Sequence, residues 1–138
     1  MSEGIINGLL HALEGWNLLL IIFGTLLGII FGSMPGLTAT MGLALLVPFT
    51  FGMEPAAGLI MLAGIYVGAM YADAIPAILI NTPGTPAAIA TTFDGFPLAQ
   101  KGKAQEALVT AAFASFIGSI VANIVLATLA EPLAELSL

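Results

Sequence analysis

The sequence predicts an all-α integral membrane protein, and three observations lead to this fold class. Of the 138 residues, 59% are hydrophobic and 7% are charged, with a mean hydropathy of +1.11. Soluble domains carry about 25% charged residues, so a water-soluble fold of this size could not cover its surface. The apolar residues lie in long runs of about the length that crosses a bilayer. Pro-Gly pairs interrupt these runs, which predicts several transmembrane helices with broken or re-entrant segments.

Residues 1–15 predict a short amphipathic helix that lies on membrane lipid at the interface. Most of their apolar side chains fall near one helical face. A secretory signal is not favoured, because the segment carries Glu3 and neither lysine nor arginine. Trp16 marks an anchor at headgroup level. His11 has no partner motif, so we interpret it as a solvated residue rather than a ligand.

Residues 17–53 form a broken pair of apolar runs. Gly24, Gly28 and Gly32 recur every four residues in the first run, so they line one helical face and let another helix approach closely. The first run ends at Pro35-Gly36. A span needs about 20 residues, so the first run is long enough and the second, interrupted by Pro48, is marginal. This region is either two crossings or one crossing and a re-entrant half-helix.

Residues 56–92 predict a helix that is broken near its end. The apolar run again spaces two glycines four residues apart, and it leads into a stretch from Tyr71 to Pro86 that is unusually rich in polar residues and prolines. Proline removes a backbone donor, and it pushes the residue before it out of the helical region. Backbone N–H and C=O groups are therefore expected to lack helical hydrogen-bond partners here, in apolar surroundings.

Residues 93–106 are interpreted as a polar loop, and residues 107–130 as a transmembrane helix with a small-polar packing face. The loop contains Lys101 and Lys103, the only two cationic residues of the sequence. The positive-inside rule places this loop in the cytoplasm. Glu131-Pro132 is expected to end the helix, and the tail that follows is expected to be periplasmic.

The composition argues against several classes of function. A net charge of −6 with two lysines does not suit nucleic acid, which needs a basic face. The sequence contains no cysteine, so thiolate metal sites are excluded. The carboxylates are scattered and no phosphate-binding glycine loop occurs. We therefore expect no enzyme activity, no metal site and no cofactor.

The two Pro-Gly pairs, Pro35-Gly36 and Pro83-Gly84, end similar glycine-containing runs 48 residues apart. Each pair is followed by small residues and threonines. Chance similarity between glycine-rich membrane segments is common, and it remains an alternative. The functional interpretation is a pair of broken helices in corresponding positions, where transporters bind their substrates. Helix N-termini there offer free donors and a positive dipole end, which suit an anion.

Several motifs together resemble the large membrane subunit of the tripartite tricarboxylate transporters. The resemblance covers roughly residues 4 to 136. Its motifs occur in the family's order: Gly28-Ile-Ile-Phe-Gly-Ser-Met-Pro-Gly36, Leu43-Ala-Leu-Leu-Val-Pro-Phe-Thr50, Gly64-Ile-Tyr-Val-Gly-Ala-Met-Tyr71, Ala77-Ile-Leu-Ile-Asn-Thr-Pro-Gly84, Thr92-Phe-Asp-Gly-Phe-Pro97 and Gln100-Lys-Gly-Lys-Ala104.

The resemblance implies a multi-pass secondary transporter of the bacterial cytoplasmic (inner) membrane. It would work with a small membrane subunit and a periplasmic solute-binding protein. Its substrate would be a carboxylate such as citrate, taken up by symport with a coupling cation, a sodium ion or a proton. Two alternatives stay open: a truncated or accessory membrane protein without transport of its own, and an ion channel or transporter of another class.

The sequence departs from the family pattern in two ways. After Tyr71 the family shows a run of small residues, whereas Ala72-Asp73-Ala74-Ile75-Pro76 stands here. The family's subunits are also several times longer than this chain, which therefore looks like an N-terminal portion. One half of an inverted-repeat transporter could not form an alternating-access site alone.

Asp73 is the candidate ion-coupling residue. An ionisable group inside a membrane span costs about 2.5–3.5 kcal/mol on insertion scales and is a functional candidate by default. The alternative is that Asp73 lies near the interface, caps the segment around Pro76 and has no role in transport.

The candidate substrate-binding residues lie at the two breaks. A carboxylate needs hydrogen-bond donors, and no lysine or arginine lies inside the apolar runs. Backbone N–H groups at helix N-termini and polar side chains are the donors that remain. The alternative is that the breaks are packing kinks whose hydroxyls bond to their own helices. The predicted set is Pro35, Gly36, Thr38, Asn81, Thr82, Pro83, Gly84 and Thr85.

Overall fold

The computed structural model describes the backbone of residues 2–137 and the side chains of residues 6–129. The predictions made for the side chains of residues 1–5 therefore lie outside the described residues. No strand occurs in the described part, and the all-α prediction is confirmed. Seven helices follow one another: α1 (Ser2–Ala12), α2 (Gly15–Ser33), α3 (Ala39–Thr50), α4 (Pro55–Ala72), α5 (Ala74–Ile80), α6 (Pro86–Leu98) and α7 (Ala104–Ser137).

The junction of α1 and α2 is fixed by polar contacts. Asn17 is buried, and its Nδ2 donates to the carbonyl oxygen of His11 at 2.7 Å. The same carbonyl at the end of α1 also accepts from the N–H of Glu14 at 3.2 Å, so two donors satisfy it. His11 Nδ1 lies 3.0 Å from Oε1 of Glu14. Helix α1 exposes the apolar residues Ile6, Leu9 and Leu10, and its place at a membrane interface stays a prediction.

Helices α2 and α4 pack backbone against backbone along a glycine seam. On α2, a Cβ atom added to Gly28 would overlap the carbonyl oxygen of Ile65, and one added to Gly32 would overlap that of Ala69. On α4, a Cβ atom added to Gly64 would lie 2.9 Å from the carbonyl oxygen of Ile21. Glycine is the residue type that permits this approach, as the four-residue spacing predicts.

The seam also shows that α2 and α4 run parallel. Gly24 faces Met61 near the start of both helices, and Gly32 faces Ala69 near their ends. The chain must therefore return between them, and α3 carries it back. Near the start of α3, a Cβ atom added to Gly42 would lie 3.4 Å from Cβ of Phe31. This path is the one that two crossings require, but α3 is shorter than the three candidate spans, so the number of crossings in residues 17–53 stays a prediction.

Helix α3 packs its apolar side onto the core formed by the first halves of α2 and α4. Leu20, Ala57, Met61 and Ile65 are buried together there, and Leu43 and Leu46 of α3 cover them. At 12 residues, α3 is about 18 Å long at 1.5 Å per residue. Helix α3 is therefore shorter than α2 and α4, and the connecting segments at its two ends cover the rest of the distance from the end of α2 to the start of α4.

Helices α4 and α5 form one bent apolar unit, Pro55–Ile80, of 26 residues. The bend lies at Asp73, whose N–H still donates to the carbonyl oxygen of Ala69 at 3.1 Å. Pro76 falls in the first turn of α5, where its missing N–H removes no bond within that helix. The chain therefore breaks after Ile80 and not at Pro76.

The structure differs from the sequence interpretation of residues 93–106 as a loop. Helix α6 continues to Leu98, because Gly95 packs against the side chain of Ile78 and holds this stretch to α5. A tight turn, Ala99–Lys103, follows and contains Gly102 at φ 78°. Helix α7 then begins at Ala104 and runs past Pro132 to Ser137, so it does not end at Glu131-Pro132 as expected, because a proline inside a helix can kink it without ending it.

Helix α7 runs antiparallel to α4. Its first turns, with Ala107 and Thr110, share a groove with Met70 and Ile78, and its middle shares a second groove with Thr25 and Tyr66. Three stretches of the described chain are long and apolar enough to cross a membrane: Gly15–Ser33, Pro55–Ile80 and Pro86–Leu129. The third of these includes the turn at Gly102.

We expect single cysteines at Gly52 and Lys103 to lie on opposite sides of the membrane. Gly52 is in the turn where α3 meets α4, and Lys103 is at the start of the antiparallel α7. The positive-inside rule predicts that the lysine turn is cytoplasmic. A membrane-impermeant thiol reagent should therefore label Gly52→Cys on intact cells, and Lys103→Cys only after permeabilisation. Labelling of Lys103→Cys from outside would contradict this topology.

Adding one methyl group to the seam should destabilise the protein. Gly28→Ala places a Cβ atom against the backbone of Ile65, which cannot move aside, so we expect a loss of about 1–3 kcal/mol. Gly118→Ala on α7 is the matched control, because no atom lies within 4 Å of its added Cβ. Thermal unfolding of the complete protein in detergent measures both. Equal midpoints for the two variants would show that the seam is not close-packed.

Candidate functional site

The first break, Met34–Thr38, separates α2 from α3. Gly36 has φ +89°, a left-handed conformation that glycine adopts without a Cβ penalty. The N–H of Leu37 donates to the carbonyl oxygen of Met34 at 3.1 Å. Thr38 then caps α3, its Oγ1 accepting from the N–H of Met41 at 3.3 Å. The local sequence therefore forms a tight turn followed by a new helix N-terminus.

The second break, Asn81–Thr85, separates α5 from α6. Asn81 is left-handed, with φ 54°, and among non-glycine residues asparagine is one of those that tolerate this region best. The N–H of Thr82 donates back to the carbonyl oxygen of Pro76 at 3.2 Å. Thr85 caps α6, its Oγ1 accepting from the N–H of Ala88 at 3.4 Å. Both breaks thus combine one left-handed residue with one threonine cap.

Asp73 holds the second break in place. Its side chain is buried, with 5% exposure, at the bend between α4 and α5. Oδ1 accepts from the N–H of Gly84 at 2.7 Å, and Oδ2 accepts from the hydroxyl of Thr85. A buried carboxylate needs such donors, because removing it from water without them is costly. The residue therefore ties the end of α4 to the start of α6.

The two breaks meet at this carboxylate. A Cβ atom added to Gly84 would lie 2.6 Å from Oδ1 of Asp73 and 3.6 Å from the carbonyl oxygen of Leu37 in the first break. The parallel packing of α2 and α4 explains this, because it brings the end of α2 level with the end of α4. The broken segments that the sequence places 48 residues apart are therefore neighbours in space.

The other predicted site residues belong to the same two breaks and differ in their exposure and hydrogen bonds. The hydroxyl of Thr82 donates to the carbonyl oxygen of Ile80 at 3.1 Å. Asn81 and Thr82 are exposed, as are Pro35 and Gly36, whereas Thr38, Pro83, Gly84 and Thr85 are partly buried. The Thr82 hydroxyl thus bonds to the end of its preceding helix, as the packing-kink alternative expects, whereas the Thr85 hydroxyl donates to Asp73 of another segment. The roles of the set in substrate binding stay a prediction.

A groove of about 520 Å³ opens beside the second break. Its walls come from the α4–α5 bend, α6 and α7. Of the predicted site residues, Asp73 and Thr85 line it. The polar side chains that complete its lining are Thr91, Asp94, Thr110 and Ser115. The groove is therefore lined by two carboxylates and several hydroxyls, and neither lysine contributes to it.

These four additional polar residues were not in the set predicted from the sequence. Thr91 and Asp94 are three residues apart and share one face of α6, but the interpretation of residues 93–106 as a loop concealed that face. Thr110 and Ser115 lie on α7, for which the sequence predicts only a small-polar packing face. A helical interpretation of 86–98 would have exposed the Thr91–Asp94 pair.

A second groove, of about 630 Å³, separates α7 from the α2–α4 pair. Apolar and small residues make up most of its lining, with Thr25, Tyr66, Tyr71, Ser115 and Ser119 as its hydroxyl groups. Within the part of the chain that the structure describes, no group of three or more histidine, cysteine, aspartate or glutamate residues is placed to hold a metal ion.

Comparison with known proteins gives two matches. Residues 18–138 match the model of the tripartite tricarboxylate transporter TctA family. An uncharacterised 52.8 kDa protein of Agrobacterium vitis, from the TAR-I ttuC' 3' region, is 45% identical over 127 residues. The match covers 92% of this chain and 25% of that protein, so the chain spans about a quarter of the relative's length. No solved structure matches significantly.

We expect Gly84→Ala to disrupt the contact between the two breaks. The added Cβ atom would lie 2.6 Å from Oδ1 of Asp73, so the carboxylate must shift; where the shift breaks its bond from the Gly84 N–H, the cost is about 1–3 kcal/mol. Gly52→Ala is the control, since its added Cβ atom has nothing within 4 Å. Thermal unfolding in detergent reports the loss. An unchanged midpoint for Gly84→Ala would show that Asp73 does not support the fold.

Proposed function

Since this chain belongs to the tripartite tricarboxylate transporter TctA family, we propose that it forms part of the membrane subunit of a secondary active transporter. The transporter takes up tricarboxylates or related carboxylates across the bacterial cytoplasmic membrane. An ion gradient drives the uptake, with a sodium ion or a proton as the coupling cation. A small membrane subunit and a periplasmic solute-binding protein complete the assembly.

The observation that carries this proposal is the meeting of the two breaks. Gly84 of the second break approaches the carbonyl oxygen of Leu37 in the first, next to a buried carboxylate. Broken helices are tolerated at membrane depth where they face protein or a water-filled cavity. Paired breaks of this kind form substrate sites in transporters. The arrangement therefore fits a transport site better than a purely structural membrane anchor.

The substrate carboxylates bind to donors at the two breaks. From the first break come the N-terminal N–H groups of α3, next to Thr38, and the close backbone approach that Pro35-Gly36 permits. From the second come the Asn81 amide, the Thr82 and Thr85 hydroxyls and the backbone at Pro83-Gly84. Charge-assisted hydrogen bonds from such groups are about twice as strong as neutral ones, so a carboxylate is retained without arginine.

Asp73 is the coupling residue of this proposal. It is the carboxylate that the described helices bury, at the bend of an apolar unit. Its two oxygens already accept from Gly84 and Thr85. A cation or proton that binds Asp73 therefore acts directly on the second break. A purely structural Asp73 would leave the ion dependence of transport unchanged when it is replaced.

The periplasmic side of the proposed transporter is the side on which α2 and α4 begin. The lysine turn lies at the opposite end, because α7 runs antiparallel to α4. The solute-binding protein therefore docks near the α3–α4 turn and the start of α2, and substrate reaches the breaks from there.

We expect Asn81→Leu and Thr85→Val to raise the substrate concentration for half-maximal uptake. Each change removes a polar group at similar volume, and a lost hydrogen bond to a charged group costs about 1.5–3 kcal/mol, which is roughly tenfold to a hundredfold in affinity. Uptake of radiolabelled citrate by cells that express the complete transporter measures the effect, at matched expression levels.

Thr128→Val is the control for these variants. Its hydroxyl bonds back to the carbonyls of Ile124 and Val125 on α7, far along the chain from either break. Its concentration dependence should equal that of the wild type. If Asn81→Leu and Thr85→Val also transport with wild-type concentration dependence, the substrate site lies outside the two breaks.

A further inference from the structure

Two of the donors available to the substrate are engaged by Asp73 in the structure. The Gly84 N–H donates to Oδ1 at 2.7 Å, and the Thr85 hydroxyl donates to Oδ2. Each carboxylate oxygen thus takes one donor from the second break, as a bound substrate carboxylate would. The protein therefore carries, on its own chain, a carboxylate in the place where an anionic ligand would be held.

We propose that Asp73 and a substrate carboxylate compete for these two donors, and that a positive charge bound at Asp73 releases them to the substrate. The inference rests on the proposed function and deepens it, because it states how the coupling cation acts on the substrate site. The positive charge is supplied by a metal cation such as sodium or by a proton.

Electrostatic repulsion prevents the Asp73 carboxylate and a substrate carboxylate from binding the same two donors at once. A substrate oxygen that accepts from the Gly84 N–H at about 2.9 Å lies close to Oδ1, which is itself 2.7 Å from the same nitrogen. Two charged carboxylates this close repel each other strongly in surroundings with little water. Substrate therefore binds these donors after Asp73 has been neutralised, and not before.

The groove beside the second break gives the cation a way to reach Asp73. Asp73 and Thr85 line it, together with Asp94 of α6 and the hydroxyls of Thr110 and Ser115 of α7. Asp94 is the other titratable group that lines the groove, and its charge attracts a cation. Carboxylate and hydroxyl oxygens are hard ligands that suit a hard cation. The lining therefore favours positive charge and disfavours the anion.

Coupling follows from this exchange of donors. With Asp73 charged, the Gly84 and Thr85 donors stay on the protein's own carboxylate and substrate affinity is low. With Asp73 neutralised, the Gly84 N–H and the Thr85 hydroxyl donate to the substrate carboxylate instead. Because the two binding events share one pair of donors, each raises the affinity of the other by the same factor. The cation and the anion therefore move together.

The test compares the complete transporter complex, purified in detergent, with its Asp73→Asn variant. Citrate binding is measured with and without sodium, at pH 6 and at pH 8. In the wild type, we expect affinity to rise at least tenfold with sodium if the metal cation is the coupling charge, or with acid if the proton is. In Asp73→Asn, affinity should change less than twofold under all four conditions, because the side chain is permanently neutral.

Reconstitution in vesicles supplies a second readout. Asp73→Asn should exchange citrate across the membrane at near wild-type rates and fail to accumulate it against a gradient, since substrate binding no longer depends on the cation. A protein that is merely misfolded would lose both activities. Retained accumulation, or citrate binding that still needs the cation, would overturn the inference.

Glu106→Gln is the matched control, because it removes a carboxylate of α7 that is paired with Lys103 outside the groove. It should retain cation-dependent citrate binding. Asp94→Asn separates the two carboxylates of the groove: if it abolishes this dependence while Asp73→Asn keeps it, Asp94 is the coupling group and the inference is wrong. A wild-type complex that binds no di- or tricarboxylate under any condition would instead overturn the proposed function itself.

Thr85 gives an independent test should Asp73→Asn fail to reach the membrane. Thr85→Val removes one of the two contested donors, and Thr85→Ser keeps it. Saturating cation should increase citrate affinity less in Thr85→Val than in the wild type, and by the wild-type factor in Thr85→Ser. Equal increases in the valine and serine variants would contradict a competition for this hydroxyl.

Discussion

The contact on which the rest of the structure depends is the backbone packing of α2 on α4. Gly28 and Gly68 let the two helices approach until peptide groups touch. In lipid, where apolar side chains gain little from leaving the solvent, such close van der Waals packing is a main source of helix association. It fixes the two helices parallel and in register, so it also determines where both breaks lie. Because α2 and α4 run parallel, α3, which connects them in sequence, must run back to the start of α4.

The register of the seam explains why a carboxylate is stable in this position. It places the bend at Asp73 beside the end of α2, and α5 then carries the chain far enough for Gly84 to return to the carboxylate. The charge is held by one backbone donor and one hydroxyl, and the chain needs no lysine or arginine in its apolar runs. Local backbone geometry thus replaces an ion pair.

Much of this arrangement could be predicted from the sequence, because its determinants are local. Glycine spacing predicts the seam, proline and glycine predict both breaks, and an acidic residue in an apolar run singles out Asp73. The hydrogen bonds from Gly84 and Thr85 to Asp73 could not be predicted, since they join residues 11 and 12 apart across a break. The extension of α6 to Leu98 was also missed, because contact with Ile78, and not local propensity, keeps that segment helical.

The seam has a mechanical consequence. Most packed helices meet through side chains, whose rotamers can change when one helix slides over another. Along the seam the touching atoms belong largely to the main chain, and the glycines contribute no rotamers to rearrange. Helices α2 and α4 should therefore move as one body in any alternating-access cycle. In the proposed transporter, the displacements that open and close the pathway would then fall to α3, α6 and α7, with the two breaks as their hinges.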